Sequence, residues 1–292
     1  MPFDIAKLRH QIETACAMEV MSPKPGNVSP GSEFANATVD DFLRSARAIA
    51  PVLALADQQT LGETVLFAVQ ATRAVVDHNT NLGIILLLAP LASVRHDQAL
   101  LDGIEEVLKS TTVADSGMVY EAIRIAQPSG LGSAAEQDLN AEPTLNLVEC
   151  MTLASARDMI AAQYANGFAD VLQVGQIWLR EYSATDVSQP KQIAMLAVRL
   201  LAEFGDSLIA RKCGDEMSLI VQEKARSLLD SGWPMQHDTQ IKFDAFNAFL
   251  RADSNRRNPG TTADFVAAIL FAALRDGQMT ADGDWFQWKS KT

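Results

Sequence analysis

The sequence has few of the residues from which metal and nucleophile sites are usually built. Its 292 residues include three cysteines and four histidines, and none of these has the spacing of a zinc site or a disulfide framework. We therefore interpret Cys16, Cys150 and Cys213 as buried thiols of a cytoplasmic protein. The GxxxxGK phosphate loop, the GxGxxG fingerprint, the HExxH motif and the GxSxG elbow are also missing. These absences exclude the most easily recognised nucleotide-binding, zinc-dependent and serine-hydrolase classes.

Positive charge is scarce as well. The chain carries 24 Lys and Arg against 36 Asp and Glu, a net charge of −12, whereas a nucleic-acid partner requires a basic face. A nucleotide triphosphate remains compatible, because Mg²⁺ and a few local cations can offset its charge. No run of eighteen uncharged apolar residues occurs, so we expect neither a transmembrane helix nor a membrane partner. The oligomeric state stays open.

Strand patterns are missing too, and apolar residues recur at helical spacing along the chain. We expect one all-α domain over residues 1–292, a compact multi-helix fold with a polar ligand cleft formed by loops at helix N-termini. The longest loop, 128–143, is a candidate substrate lid, and Thr38 and Thr262 are candidate helix caps. We predict helices at about 4–20, 39–57, 61–77, 82–93, 97–109, 115–127, 144–165, 167–182, 190–204, 206–212, 215–231, 239–252 and 262–276.

The first of three polar loops, Ser22–Asn27 (SPKPGN), follows a helix and holds a lysine between two prolines. Proline fixes φ and restricts the residue before it, so the backbone around this lysine is rigid, which suits a phosphate contact. The alternative is a stiff connector with one solvated lysine. The residues that we predict here as phosphate ligands are Ser22, Lys24, Gly26 and Asn27.

Two further loops have the same design, since each leads into an apolar helix. Asn79–Gly83 (NTNLG) can cap its helix, and free N–H groups at a helix N-terminus bind anions. The third loop, Asn255–Asp264, adds an arginine pair to an otherwise acidic chain. A plain helix cap and an exposed arginine pair are the alternatives. The candidate phosphate ligands are Asn79, Thr80, Asn81, Gly83, Arg256, Arg257, Asn258, Gly260, Thr261 and Thr262.

The three loops together resemble one protein family. In order and spacing, EVMSPKPGN at 19–27, NTNLG at 79–83 and NPGTTAD at 258–264 resemble the triphosphoribosyl-dephospho-coenzyme A synthase family. The resemblance implies an all-helical enzyme that joins ATP to 3′-dephospho-coenzyme A and releases adenine. It extends over nearly the whole chain through Tyr120–Arg124, the Arg157–Asp158 pair and Phe204–Asp206.

The chain departs from the family pattern in two places. Members carry NTHKG where this chain has Asn81 and Leu82 in place of the histidine and the lysine. Members also carry a GxHxDM element after the proline loop, whereas Gly31–Ala37 contains no histidine. An ATP-like donor is therefore better supported than the usual acceptor. We expect intact binding of ATP, weak or no turnover with 3′-dephospho-coenzyme A, and preference for another hydroxyl-bearing acceptor.

The reaction itself calls for carboxylates and cations. Loss of adenine from ribose passes through an oxocarbenium-like state that carboxylates stabilise, and the acceptor hydroxyl needs a general base. We predict Asp206 or Asp158 as that base, although a helix cap and an ion pair with Arg157 are the respective alternatives. Arg157 is a further candidate nucleotide ligand. Glu121 and Asp264 are candidate Mg²⁺ ligands.

Two other function classes remain open from the sequence. One is a Mg²⁺-dependent helical hydrolase of nucleotide or ADP-ribosyl N-glycosidic bonds, which would pass the ribosyl group to water. The other is a non-catalytic nucleotide-binding helical module, whose polar loops would lie far apart in the fold.

Overall fold

The computed structural model describes residues 4–130 and 136–280. Within these ranges the chain forms fourteen α-helices and no β-strand beyond two isolated bridges, which confirms the all-α prediction. The helices are α1 (Ile5–Met21), α2 (Val39–Leu53), α3 (Leu61–Arg73), α4 (Leu82–Ser93), α5 (Leu100–Lys109), α6 (Val113–Ala126), α7 (Leu147–Ala154), α8 (Met159–Asn166), α9 (Gly175–Ser183), α10 (Gln189–Phe204), α11 (Ser207–Cys213), α12 (Asp215–Asp230), α13 (Gln240–Arg251) and α14 (Gly260–Arg275).

Helices α4 and α14 form the centre of the core. Every residue of α4 from Ile84 to Ala92 and every residue of α14 from Phe265 to Leu274 is buried. A helix that is apolar on all sides must be surrounded by other elements, and the two helices pack against each other and against α1, α3 and α10. The polar loops that precede them are therefore attached to the most buried helices of the described chain.

The predicted helix 144–165 is wrong as a single element. Helix α7 ends at Ala154 and α8 begins at Met159. The side chain of Asp158 accepts hydrogen bonds from the backbone N–H groups of Ile160 and Ala161 at 2.9 and 3.1 Å. Asp158 thus caps a new helix, because a short carboxylate that bonds the backbone ahead of it competes with a continuing helix.

Other boundaries shift in smaller ways. Helix α2 has the predicted capping box between Thr38 and Asp41 but ends at Leu53, before a short 3₁₀ turn. The predicted cap at Thr262 is wrong, since α14 already begins at Gly260. The candidate lid 128–143 includes residues 131–135, which lie outside the described residues. No helix in the described ranges combines the length and the apolar character needed to span a membrane.

Candidate active site

A cavity of about 830 Å³ opens where the three polar loops meet. Its volume lies in the range of ligand pockets. Asn27, the second loop and the start of α14 all line it, and so do the first residues of α4. Two helix N-termini therefore face one space, and the positive ends of their dipoles favour an anionic ligand. A non-catalytic module would require the loops to lie far apart, and they do not.

The second loop is held in place by two neighbouring helices. The Asn79 Oδ1 atom accepts a hydrogen bond from the N–H of Leu82 at 3.0 Å and caps α4. The hydroxyl of Thr80 lies 2.6 Å from that of Ser45 on α2. The Asn81 Oδ1 atom accepts a hydrogen bond from the hydroxyl of Thr72 on α3 at 3.0 Å. The sequence left open a plain capping role for this loop. The loop has that role, and it also lines the cavity.

The third loop is fixed by the end of α11. The ammonium of Lys212 donates to Asn258 Oδ1 at 2.8 Å, and the guanidinium of Arg256 donates to the carbonyl of Lys212 at 2.8 Å. A Cβ atom at Gly260 would lie 2.6 Å from a methyl carbon of Leu208, so a larger residue there requires the Leu208 side chain to move. Asn258, Gly260 and Thr261 line the cavity as predicted.

Lys24 does not line the cavity. Its side chain is fully buried, and its ammonium lies 2.9 Å from the Glu19 carboxylate. It also donates to the backbone carbonyls of Glu19 and Ser22. This placement contradicts the predicted phosphate contact, because the ammonium is buried and its partners are all groups of the protein itself. Burial raises the pKa of Glu19, and the Lys24 ammonium opposes that rise.

Ser22 and Gly26, two other predicted phosphate ligands, support the cavity walls but do not line the cavity. The hydroxyl of Ser22 donates to the carbonyl of Met18 at 2.7 Å. Gly26 has φ +76°, and a Cβ there would lie 2.9 Å from the ring of Pro259, so this glycine lets the first loop approach the third. The two loops are also joined by Asn27, whose Nδ2 donates to the carbonyl of Pro259 at 3.2 Å.

The predicted arginine pair also lies outside the cavity lining. Arg256 is exposed and bonds the carbonyl of Lys212, as the surface alternative expected. Arg257 stacks on Phe249, with its guanidinium carbon 4.3 Å from the ring centre. Neither side chain is among the described residues that face the cavity, so the structure contradicts both as phosphate ligands there.

Asp206 is a structural carboxylate. Its Oδ1 accepts from the N–H groups of Leu208 and Ile209 at 2.9 and 3.0 Å, and its Oδ2 accepts from the N–H and hydroxyl of Thr262, each at 2.8 Å. It is buried outside the cavity lining, although burial raises its pKa. The prediction of a catalytic base is therefore wrong for Asp206, and Thr262 serves as its partner. The pair joins α11 to α14.

Asp158 lines the cavity, but both of its oxygens are engaged. One caps α8, and the other lies 2.5 Å from the guanidinium of Arg211. Arg157, Arg211 and Lys212 also line the cavity and bring three cations to its α8–α11 side. Sequence reasoning missed Arg211 and Lys212, which follow the quoted Phe204–Asp206 segment and look like ordinary basic residues at a helix C-terminus.

Asp264 is the carboxylate with the fewest partners. It lines the cavity, and its side chain has no hydrogen bond or ion pair among the described residues. One of its oxygens lies 2.0 Å from where a Cβ of Gly83 would stand. Burial and the nearby carboxylates of Glu19 and Asp206 raise the pKa of Asp264 well above its usual range. This carboxyl group therefore holds a proton at higher pH than an ordinary aspartate.

The predicted metal pair is not brought together. Glu121 is exposed on α6 and does not line the cavity that contains Asp264. In the described ranges, no three His, Cys, Asp or Glu side chains are grouped to hold a metal ion.

An apolar wall faces the polar loops. It is formed by α6 and α7, and the hydroxyl of Tyr120 donates to the carbonyl of Gln137 at 2.7 Å. Of the cysteines, Cys16 and Cys150 are buried as predicted, whereas Cys213 is half-buried.

The apolar wall of α6 and α7 suits the uncharged part of a ligand. Its members are Val119, Tyr120, Ile123, Ala126, Leu147, Cys150 and Met151.

The comparisons with known proteins agree with this geometry. A search of curated proteins finds no match. A crystal structure from Archaeoglobus fulgidus, assigned as a triphosphoribosyl-dephospho-coA synthase, is similar at 26% identity and a TM-score of 0.65, and the alignment covers 81% of this chain and 100% of that one. The family model described as ATP:dephospho-CoA triphosphoribosyl transferase matches residues 5–282. The chain therefore belongs to this family of transferases, as the three loops indicated.

Proposed function

We propose that this protein transfers the triphosphoribosyl group of ATP to a hydroxyl of a nucleotide acceptor and releases adenine. The observation that carries the proposal is the meeting of Asp264, which has no hydrogen-bond partner among the described residues, with three cations and two helix N-termini in one cavity. Membership of the transferase family supports the same reaction. A cytoplasmic location stays a prediction.

The triphosphate is bound at the α8–α11 side of the cavity. Arg157, Arg211 and Lys212 supply the positive charge there that the sequence had assigned to Lys24. Charge-assisted hydrogen bonds of this kind are about twice as strong as neutral ones. The positive end of the α14 dipole adds a favourable potential without adding a charged side chain. Asn27, Asn79 and Asn258 complete the polar walls.

Asp264 acts as the general base. The bond between the ribose anomeric carbon and adenine breaks, and its electron pair leaves with adenine, which takes a proton from water. The acceptor oxygen forms the new bond to that carbon, and its proton passes to Asp264. A carboxylate whose pKa is raised by its surroundings accepts a proton more readily than an ordinary aspartate, which suits this role, and its negative charge stabilises the oxocarbenium-like state.

Mg²⁺ enters this proposal as the counter-ion of ATP. It is commonly bound by one or two carboxylates together with the phosphates themselves, and it neutralises the triphosphate charge when bound. The described residues provide no protein-built centre of three ligands, so this chain contributes binding and proton transfer around the Mg²⁺-bound nucleotide.

The acceptor is the open part of the proposal. The replacement of a histidine and a lysine by Asn81 and Leu82 favours an acceptor other than 3′-dephospho-coenzyme A. The hydrolase alternative differs in one respect, because water would then take the ribosyl group. Adenine release from ATP that continues at full rate without any acceptor would favour the hydrolase.

The experiment is an assay of adenine release and product mass with ATP, MgCl₂ and 3′-dephospho-coenzyme A. We expect Asp264→Asn to lower kcat about 10²- to 10⁴-fold, the usual contribution of a general base. Asp186→Asn is the matched control, because Asp186 is an exposed carboxylate outside the cavity. Full activity in Asp264→Asn would contradict the assigned base.

A further inference from the structure

The side of the cavity next to α3 contains a cation without a partner. Arg73, in the last turn of α3, is half-buried and lines the cavity. It forms no hydrogen bond and no ion pair with any described residue, although its charge acts at longer range on the fully exposed carboxylate of Asp77. A guanidinium placed in this way can donate several parallel hydrogen bonds to an anion.

Two polar atoms beside Arg73 are buried without partners. Asn81 is 5% exposed, its Oδ1 is held by the hydroxyl of Thr72, and its Nδ2 has no hydrogen-bond partner. The Nδ1 of His78 lies 3.0 Å from the Asp77 carboxylate, and its Nε2 is likewise buried and unpaired. Arg73, His78 and Asn81 together line a small recess that continues the cavity wall. Buried unpaired polar atoms are rare in proteins, and a ligand or ordered water explains them.

This recess lies where the chain departs from its family's pattern. Asn81 and Leu82, which replace a histidine and a lysine, both line it. Arg73 on α3 can therefore supply the positive charge of the missing lysine, and His78 can supply the missing imidazole. We propose that Arg73, with Asn81 and His78, binds a phosphate or pyrophosphate group of the acceptor. This inference rests on the proposed transfer reaction.

The acceptor is favoured over ATP as the source of this phosphate. Three cations already line the α8–α11 side of the cavity, whereas the α3 side has one cation and two unpaired polar atoms. Asp264, the proposed base, lines the same cavity and lies against Gly83 of the second loop. An acceptor whose phosphate is bound by Arg73 therefore shares the cavity with Asp264, the proposed base. The class of acceptor is accordingly a phosphorylated nucleotide or a similar phosphate ester.

The test compares Arg73→Gln with Arg226→Gln, an exposed arginine on α12 outside the cavity. Dissociation constants and KM values are measured for ATP, for 3′-dephospho-coenzyme A and for adenosine, which offers a hydroxyl but no phosphate. We expect Arg73→Gln to weaken the binding of 3′-dephospho-coenzyme A about 10- to 100-fold, which is the effect of losing one charge-assisted contact. The dissociation constants of ATP and adenosine should be unchanged, and Arg226→Gln should resemble the wild type for all three compounds. Thermal melting checks that both variants are folded.

The outcomes separate this inference from the proposed function. Weaker ATP binding in Arg73→Gln, or an equal loss for adenosine, would overturn the acceptor subsite. Where no phosphorylated nucleotide supports adenine release by the wild type, the proposed function fails, and titration of ATP-saturated protein with inorganic pyrophosphate still decides the subsite. Pyrophosphate binding that depends on Arg73 supports it, and binding that is absent or independent of Arg73 overturns it.

Discussion

Replacing the carboxylate of Asp264 by an amide should stabilise the protein while it removes activity. The side chain is half-buried and faces the cavity beside the start of α4, with no hydrogen bond to described residues and with Glu19 close by. A buried polar group left without a partner costs about 1–3 kcal/mol, and more when it is charged. Asp264→Asn keeps the shape and removes the charge. We therefore expect the free energy of unfolding to rise by about 1–3 kcal/mol at neutral pH, or about 2–6 °C in Tm.

The pH dependence of this gain follows from the raised pKa of Asp264. In the unfolded chain this carboxyl titrates near 3.9, so between that value and the raised pKa the folded protein binds the extra proton. Stability contributed by such a group is present at low pH and is lost as pH rises. The advantage of Asp264→Asn over the wild type should therefore be small near pH 4 and should grow towards neutral pH.

Urea denaturation of both proteins at several pH values measures this difference, with Asp186→Asn as the exposed control. The same preparations are then assayed for adenine release. A variant that is less stable than the wild type, or a stability difference that does not change with pH, would refute the reasoning. Either result would mean that the carboxylate is compensated in the folded protein.

Three other substitutions test the walls of the site. Asp206→Ala should lower the free energy of unfolding by about 3–5 kcal/mol in urea titration, because buried donors lose their charged partner. Lys24→Ala should destabilise by a similar amount by leaving Glu19 unpaired, and an intact, folded variant with weaker ATP binding alone would contradict this. Gly83→Ala should displace the Asp264 carboxylate and reduce kcat, whereas Gly117→Ala, where a Cβ meets nothing within 4 Å, should keep wild-type kcat.

Periodicity was enough to predict the helices, because each needs only a regular apolar face. The gap between α7 and α8 was missed, since Asp158 reads as one polar residue within a continuous pattern until its side chain is seen to cap Ile160 and Ala161. The predicted meeting of the loops was correct at the level of the backbone. Loops that precede two core helices at one end of the fold must come close.

The identity of the charged ligands could not be predicted in the same way. Two prolines fix the backbone at Lys24, but they do not decide whether its side chain points to solvent or to Glu19. Arg211 and Lys212 stand at the end of a short helix, where basic residues are common for reasons unrelated to ligands. Only the tertiary contacts of α11 with the third loop bring these cations to the cavity.

The burial of α4 and α14 has a consequence for how this enzyme can change. Both helices start at the cavity and then run through the core, so a substitution that enlarges a side chain in their first turns disturbs folding as well as binding. On the α6–α7 wall, Ile123 and Met151 are only half-buried, as is Arg73 on α3, and these residues can vary at lower cost to stability. New acceptors should therefore arise by replacement of residues on that wall, while the donor side remains nearly constant among functional variants.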